Sequence, residues 1–470
     1  MGIAKRTGSW LVDRVGLDRI YAVLAKHKVP AGATDRKKGW MYVFGAATLV
    51  AFLLQVVTGI VLATYYVPAP AEAYDSLIFI NERVRFGAVI RGLHFFGASA
   101  MVVLVTVHML QVFLSAAYKF PREVNWLSGV ALLLLTMAMA FTGQLLRWDA
   151  NGVWGVFVAS HYAGRVPGIG EALKEFILSG QTVGGATLSR FFGLHVILMP
   201  LMIFGIVGLH LYLVFRNGIS EPPEPGRKVE PSSYRSWYRS LLERSGRPYF
   251  PDAVWREAVA GAVVVGAVVV LAITLGPRGP GAPPDPTFIP AEPKPDWFLL
   301  WYYGLIAIKP PELETFVMVY LPLIGIAMLL LLPLLFGKGE RSPSRRPWAV
   351  VGAVLIVTLF AVLTELGARS PWVMDFETEP LGAAEIGPAS AQVIDGAQLF
   401  HERGCQYCHT VAGRGGQYGP SLDRVMGRLP PSIVTTRIVQ GYGNMPGYRA
   451  TLTREELSTI LIFLHHLEER

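Results

Sequence analysis

Cys405 and Cys408 are the two cysteines of this chain of 470 residues, and His409 follows the second directly. Two cysteines three apart with a histidine after them form the attachment pattern of haem c, in which both thiols become thioethers and the imidazole binds iron. Because the chain has no other cysteine, a four-cysteine zinc or iron–sulfur site is excluded. A methionine sulfur is the expected sixth ligand. Met445 in GYGNMPGY is the candidate, and Met426 is the alternative.

Four further histidines lie inside long apolar stretches, where ionisable residues are costly and typical of functional sites. His94 and His108 are 14 residues apart, and His195 and His210 are 15 apart. On a helix these steps return to within about 40° and 60° of the same face and rise by about 21 to 23 Å. A lone histidine in such a stretch is usually a packing residue. The matched spacing instead predicts two non-covalent, bis-histidine haem b groups at two depths.

Glycines on the neighbouring apolar stretches repeat the interval of 14 residues. They are Gly45 and Gly59 on one stretch, and Gly129 and Gly143 on another. A residue without a side chain allows close approach of a flat macrocycle, although close packing of helices also explains any one of them. Arg91 and Arg190 stand just before the first histidine of each pair. They are candidates to pair with haem propionates, with interfacial snorkelling as the alternative.

The elements that carry these residues are membrane helices. Hydrophobic residues make up 52% of the chain and charged ones 16%, which excludes a single water-soluble domain. A membrane-spanning helix needs about 20 apolar residues. Seven stretches of that kind are predicted: 41–66, 92–117, 127–146, 191–215, 256–275, 314–336 and 348–366.

The distribution of basic residues predicts the orientation in the membrane. Lys and Arg are concentrated in 1–40, 119–122, 216–247 and 338–346, all on the N-terminal side of seven crossings. The positive-inside rule then places the N-terminus in the cytoplasm and the C-terminal tail outside, in a multi-pass protein of the cell inner membrane. His94 pairs in depth with His195 near the outer side, and His108 with His210 near the inner side. In a membrane protein, the side on which the basic residues lie matters more than their total. The net charge of +8 therefore does not imply a nucleic-acid partner.

The chain resembles the cytochrome b of Rieske/cytochrome b complexes over about residues 8–366. The phrases FLLQVVTGIVLATYYVP (52–68), KFPREVNWLSGV (119–130), LSRFFGLHVILMPL (188–201) and SPSRRPW (342–348) are similar to the chloroplast-type protein, followed in the same chain by its small companion subunit. The step of 15 residues also resembles that branch. Residues 389–470 resemble a class I cytochrome c domain. Val43 stands where some members carry a cysteine for an extra haem, which is therefore not expected here.

The predicted fold is all-α, with seven transmembrane helices and a small all-α extracytoplasmic cytochrome c domain. The transmembrane part consists of a four-helix dihaem bundle and a three-helix block. The expected domains are a cytoplasmic amphipathic segment (1–40), the four-span cytochrome b domain (41–217), a cytoplasmic linker (218–252), the three-span quinol-site domain (253–370), a second linker (371–388) and the cytochrome c domain (389–470). Residues 8–27 are predicted to form a helix on the membrane surface, or a solvated leader.

The resemblance implies a quinol-oxidising site at Pro295, Asp296, Trp297 and Phe298. The family has a Pro-Glu-Trp-Tyr-like motif there, whose carboxylate accepts a proton from the quinol. Asp296 keeps a carboxylate on a shorter stem, whereas Phe298 lacks the hydroxyl.

Further outer candidates are Trp148 and Asp149, next to Arg147, which replaces the family's usual Pro. His161 in the same loop is a candidate for a redox or proton role, with a plain exposed histidine as the alternative. Candidates for an inner quinone site are Asp35–Lys38 and Arg216, which are equally explained as charges that set the topology.

The implied function is that of the membrane core of a proton-translocating quinol:cytochrome c-type oxidoreductase. One quinol electron would pass to a separate Rieske iron–sulfur protein and the fused haem c, and the other through the two b haems to the inner quinone site. The expected partners are quinol, the Rieske protein, a soluble or membrane-bound electron acceptor and a second copy in a homodimeric complex. The alternatives are a haem-carrying membrane anchor for a dehydrogenase without quinol bifurcation, and a non-catalytic electron conduit or scaffold.

Overall fold

The computed structural model describes residues 14, 27–180, 182–284, 294–369, 379–416, 419–442, 445, 447–449 and 451–468. Apart from Arg14 and His27, the surface helix predicted at 8–27 lies outside these residues. The described part is mainly helical, and its strands are short two-residue pairs. The predicted all-α fold is therefore confirmed.

Eighteen α-helical segments are present in the described residues. In chain order they are α1 Phe44–Ala63, α2 Ala73–Glu82, α3 Gly87–Leu114, α4 Glu123–Leu145, α5 Ala150–Gly164, α6 Gly170–Leu178, α7 Gly185–Asn217, α8 Pro231–Ser245, α9 Val254–Thr274, α10 Leu300–Ile308, α11 Phe316–Phe336, α12 Pro347–Arg369, α13 Ala383–Ile386, α14 Ala391–Glu402, α15 Cys405–Cys408, α16 Val425–Arg428, α17 Pro431–Gln440 and α18 Arg454–His466. Six strands form three antiparallel pairs: β1 Lys28–Val29 with β3 Arg247–Pro248, β2 Lys228–Val229 with β4 Gly339–Glu340, and β5 Thr410–Val411 with β6 Arg414–Gly415.

Seven of these helices are long and apolar enough to cross a bilayer, and they coincide with the seven predicted stretches. They are α1, α3, α4, α7, α9, α11 and α12. Only 11% to 22% of the residues in the apolar part of each helix are buried inside the protein, as expected for helices with faces exposed to lipid. The chain is a multi-pass membrane protein.

The spans pack around α3. Helix α3 contacts α1 along much of its length, and α9 lies against both, while α7 packs against α4. The short apolar helix α10 packs against α12 through Gly304 and Gly367, because a Cβ at Gly304 would meet the backbone of Leu363. The first four spans and the last three therefore form one interlocked helical assembly.

Helices α7 and α11 each contain one π-helical turn, at Leu194–Leu198 and Phe316–Tyr320. Both turns end just before a proline, Pro200 or Pro322. Proline lacks the N–H of the regular helical bond and its ring clashes with the carbonyl four residues earlier. The wider turn relieves that clash without interrupting the membrane span.

A buried polar cluster joins the linker after α7 to the segment between α11 and α12. Glu221 forms an ion pair with Arg341, and both side chains are buried. The hydroxyl of Tyr234 donates to Glu221 at 2.7 Å and accepts from Arg122 at 2.8 Å. Because a buried charge without a partner is costly, this set of mutual contacts fixes the linker against the spans.

The tail has its own hydrophobic core, formed mainly by α14 and α18. The rings of Phe400 and Phe463 lie 5.5 Å apart, and a Cβ at Gly396 would lie 2.7 Å from the Cβ of Phe463. Thr453 and Glu456 form a capping box at the start of α18. The first and last helices of the tail, α14 and α18, therefore pack against each other.

Candidate functional site

His94 on α3 and His195 on α7 face each other near the beginning of their helices. Their ring centroids are 6.3 Å apart, with an angle of 74° between the ring planes. A metal ion bound by one nitrogen of each ring, at about 2.0 to 2.1 Å, would separate the centroids by about 6 Å. The geometry therefore fits one iron between the two imidazoles. His108 and His210 lie near the other ends of the same helices, close enough for their charges to interact.

Three of the four histidines have a hydroxyl beside Nδ1. The oxygen–nitrogen distances are 2.9 Å for Thr58 and His94, 2.8 Å for Ser128 and His210, and 3.0 Å for Thr142 and His195. Each hydroxyl also lies within hydrogen-bond distance of a backbone carbonyl on its own helix, at 2.7 to 3.0 Å. A hydroxyl that donates its one hydrogen to the carbonyl accepts from the Nδ1–H of the imidazole. This tautomer leaves the Nε2 lone pair available to a metal.

His108 differs from the other three. Its Nδ1 is buried and has no hydrogen-bond partner among the described residues. The residue before Gly45 is Phe44, whereas a hydroxyl residue precedes each of the other three glycines. The Thr-Gly and Ser-Gly dipeptides were the sequence signal for these hydroxyls, which the sequence analysis missed.

Each predicted glycine faces a different histidine of the two pairs. A Cβ added to the glycine would lie 3.3 Å from His108 at Gly45, 3.2 Å from His94 at Gly59, 3.7 Å from His210 at Gly129 and 2.8 Å from His195 at Gly143, measured to Cε1 in each case. The glycines thus leave space beside the imidazoles that a side chain would fill. With the free Nε2 atoms, this space makes the bundle suitable for two flat, iron-containing macrocycles.

The π turn of α7 explains the unequal spacing of the two pairs. His195 lies within this turn, which contains one residue more than a regular helical turn. The 15 residues from His195 to His210 therefore rotate about as far as the 14 residues from His94 to His108. Both imidazoles of α7 consequently remain on the side that faces α3.

The guanidinium groups of Arg91 and Arg190 are bonded to protein atoms. Arg91 is buried, and it donates to the carbonyl of Arg278 at 2.8 Å and to Asn81 Oδ1 at 3.0 Å. Arg190 donates to the carbonyl of Phe176 and lies over its ring. The predicted contact of Arg91 and Arg190 with haem propionates stays a prediction. Each guanidinium would have to bind a propionate in addition to these hydrogen bonds, or in place of them.

The motif Pro295–Phe298 lies at the start of α10, close to the helix that carries His94. Trp297 Nε1 donates to Ser99 Oγ on α3 at 3.2 Å, and Phe298 packs edge-to-face on Trp297. Ser99 is five residues after His94. The loop is therefore close to the pair of His94 and His195.

Asp296 lies 3.8 Å from Arg147, measured from Oδ1 to Nη1, and its side chain is 28% exposed. Burial raises the pKa of Asp296 above its ordinary value of 3.8, and the charge of Arg147 opposes that rise. The side chain of Asp296 does not cap the turn that follows it. Its carboxylate is thus partly open to solvent and available as a base.

Asp149, the other outer carboxylate candidate, has a structural role. Its two oxygens accept from the backbone N–H of Gly152 at 2.8 Å and of Gly281 at 2.9 Å. It therefore caps the N-terminus of α5 and attaches the loop after α9. Trp148 donates to Pro70 O at 3.2 Å, and His161 Nδ1 lies 2.8 Å from Phe157 O. Among the outer candidates, Asp296 has the carboxylate best placed to take a proton.

At the opposite end of the spans, two of the inner-site candidates line an open cavity of about 680 Å³. Asp35 and Lys38 line it, together with Arg247, Trp255 and Arg256. The backbone N–H groups of Lys37 and Lys38 donate to Asp35 and hold the pKa of its carboxyl below the usual value. Arg216 is exposed near the end of α7.

In the tail, Cys405 and Cys408 lie at the two ends of the short helix α15 and are not joined in a disulfide. His409 Nδ1 lies 2.8 Å from the carbonyl of Pro420, which orients the ring and leaves Nε2 available to iron. Burial lowers the pKa of His409, which keeps the imidazole neutral. A Cβ at Gly419 would collide with this ring.

The candidate sixth ligands, Met445 and Met426, both pack partly buried against the tail core. The backbones of Met445 and Tyr442 are joined by hydrogen bonds as an isolated antiparallel β-bridge. Its assignment as the sixth ligand of the tail haem remains a prediction.

The fold and these sites define a membrane-embedded helical protein with a small electron-transfer-type tail. Residues 34–218 match the family described as Cytochrome b/b6/petB, and 283–379 match Cytochrome b(C-terminal)/b6/petD. Residues 391–464 match Cytochrome C oxidase, cbb3-type, subunit III. These matches confirm the resemblance of the membrane part to cytochrome b and of the tail to cytochrome c.

Individual relatives agree. Cytochrome b6 of Heliobacterium mobile is 40% identical over 215 residues, 46% of this chain and 99% of that protein. Cytochrome b of Cereibacter sphaeroides is 30% identical over 357 residues, 72% of this chain and 78% of that protein. A solved structure titled Hyperthermophilic respiratory Complex III matches with a TM-score of 0.64 and 27% identity, over 84% of this chain and 95% of that one. The chain belongs to the cytochrome b/b6 family.

Proposed function

We propose that this chain is the membrane core of a quinol:cytochrome c oxidoreductase. Quinol is oxidised at Asp296 on the outer side, quinone is reduced on the inner side, and electrons leave through a separate Rieske protein and the fused tail. The observation that carries the proposal is the contact of Trp297 with Ser99, which puts the acidic loop beside the helix of His94. A relative in Bacillus subtilis, 35% identical over 217 residues, is named menaquinol:cytochrome c reductase cytochrome b subunit.

The four membrane histidines are proposed to bind iron through Nε2, with Thr58, Ser128 and Thr142 holding three of the rings in the required tautomer. Two b haems bound here, and one haem c bound by Cys405, Cys408 and His409, would supply one-electron carriers at three positions along the chain. The glycines opposite the histidines provide the space that flat groups need.

The quinol chemistry assigned to the chain itself is proton transfer. Asp296 accepts the proton of a quinol hydroxyl on Oδ, so the O–H bond breaks as an O–H bond to the carboxyl forms. Trp297, 44% exposed, and the ring of Phe298 offer apolar surface to the quinol head group. Loss of two protons and two electrons converts quinol to quinone. A haem held by His94 and His195 would take up one of these electrons, and a separate Rieske partner would take up the other.

The proposed orientation follows the basic residues, with the N-terminus in the cytoplasm and the tail outside the cell inner membrane. Covalent attachment of haem c takes place outside the cytoplasm, which agrees with the proposed location of the tail. A homodimeric complex and net proton translocation are also part of the proposal, as the family resemblance implies.

The test is quinol-dependent reduction of cytochrome c by the purified complex, with Asp296→Asn and Asp296→Glu as variants. The Asn variant keeps the size and loses the base, so turnover is expected to fall by about 10²- to 10⁴-fold at full haem content. The Glu variant keeps the carboxylate and should retain most activity. Normal turnover of the Asn variant at full haem content would refute the role of Asp296. An inactive parent complex would favour a dehydrogenase anchor or a passive conduit.

A further inference from the structure

Arg147 lies between two carboxylates at the outer end of α4. Its Nη1 is 3.8 Å from Asp296 Oδ1, and its Nε is 3.5 Å from Asp149 Oδ2. The side chain is 17% exposed, so solvent screens these interactions only in part. Arg147 thus connects the carboxylate proposed as the base with the one that caps α5.

Two nitrogen atoms of the guanidinium make no hydrogen bond within the part of the chain that the structure describes. Among the described residues, which omit 285–293 of the neighbouring loop, its buried Nε and Nη2 atoms have no hydrogen-bond acceptor. A buried donor without an acceptor is costly, and Arg presents five donors on a rigid planar fork. This free-energy cost is offset if Arg147 interacts with an anionic group whose charge changes during the reaction.

The surrounding charges favour such a role. The charged groups around Asp296 are Arg147 and Asp149 after α4 and Arg278 in the loop after α9, and Arg91 on α3 is an electrostatic neighbour of Arg147 and Asp149. Asp296 therefore lies in the field of Arg147, Arg278 and Asp149, and Arg91 adds positive charge near Arg147 and Asp149. Asp149 is held in place by two backbone N–H groups, whereas the carboxylate of Asp296 does not cap the turn that follows it.

We propose that Arg147 is a positioning residue of the quinol site, which keeps the carboxylate of Asp296 ionised and oriented toward the quinol hydroxyl. The inference rests on the proposed quinol oxidation at Asp296. It assigns a purpose to the departure at 147, where the family usually has Pro and this chain has Arg. In this chain Arg147 and the shorter Asp296 occur together and form an ion pair at 3.8 Å. Arg147 itself exchanges no proton, because a guanidinium stays charged at all relevant pH values.

The test compares the pH dependence of kcat/KM for quinol in the complexes carrying Arg147→Gln and Arg147→Lys. Without the cation, Asp296 becomes protonated at higher pH. The acidic limb of the Gln variant should therefore move up by about one pH unit, an about tenfold loss on that limb. The Lys variant keeps a charge and should restore most of the limb. Arg165→Gln removes a comparable pair with Glu314, at 3.0 Å in the same outer region, and should leave the limb in place.

Haem content, measured from the visible spectrum, distinguishes loss of assembly from loss of activity. The inference is overturned if the acidic limb of Arg147→Gln coincides with that of the parent at full haem content. If Asp296→Asn is slow in the same experiment, the proposed function still holds. Normal turnover of Asp296→Asn would instead overturn the function.

If the Gln variant lacks haem, Asp149→Asn replaces it. This variant removes a negative neighbour of Asp296; its Oδ1 can still accept from Gly152 and cap α5, while the hydrogen bond from Gly281 is lost. The acidic limb of its kcat/KM profile should move to lower pH. An acidic limb at the same pH as in the parent overturns the proposal.

Discussion

Gly143→Ala is expected to impair the site formed by His94 and His195 while leaving the fold of the spans intact. A Cβ at position 143 would lie 2.8 Å from Cε1 of His195, closer than real Cβ contacts allow. The imidazole must shift, but Thr142 Oγ1 holds its Nδ1 at 3.0 Å. The ring therefore cannot move without losing that hydrogen bond or its position opposite His94.

Overpacking of this kind costs about 1 to 3 kcal/mol. If the cost falls on haem binding, the affinity of the outer site decreases by about 5- to 150-fold. Gly129→Ala is the matched control, because its Cβ would lie 3.7 Å from Cε1 of His210, an ordinary van der Waals contact. The two changes add the same methyl group at equivalent positions on one helix.

The assay is the redox-difference spectrum of the purified complex, scaled to protein. Gly143→Ala should lose or shift one of two b-type components, and Gly129→Ala should keep both. Loss of a component in Gly129→Ala together with an unchanged spectrum in Gly143→Ala would refute the reasoning from the glycine contacts.

Three further outcomes are expected. His94→Leu or His195→Leu should remove one b component and abolish turnover, whereas His108→Leu should remove the other and block only quinone re-reduction; loss of the same component from His94→Leu and His108→Leu would show the pairing by depth to be wrong. Cys405→Ala should prevent stable covalent attachment of haem to the tail, seen as loss of haem staining on a denaturing gel, with both b haems retained. Burial raises the pKa of Asp296, and the base must be ionised to accept a proton. The value of kcat/KM for quinol should therefore fall as the pH drops through a value above 3.8. A pH profile that stays flat down to pH 3.8 would contradict this.

The membrane architecture was predictable because its signal is strong. A span needs a long apolar run, and each of the seven runs predicted from the sequence is a helix in the structure. The helical character of the tail was predictable from its resemblance to a class I cytochrome c domain, and the capping box of Thr453 and Glu456 appears only in the structure. Helix ends shifted by a few residues, since α3 begins at Gly87 rather than at 92.

Local backbone irregularity and partners in space were not predicted. The π turn at His195 depends on Pro200, a signal present in the sequence but not used. The pairing of Arg147 with Asp296 joins residues far apart in the chain, and no periodicity indicates it. The same holds for Arg91, whose carbonyl partner at Arg278 lies 187 residues away. Contacts of this kind follow from the packing of the spans.

The central claim is that one chain holds two b haems at matched histidine pairs and one covalent haem c in its tail. A redox-titrated visible spectrum of the purified complex, with the haems counted as pyridine haemochromes, tests it most directly. The account predicts a ratio of about two b haems to one c haem, with two b components that titrate at separate potentials. A ratio of one to one, or a spectrum without a c-type band, would contradict it.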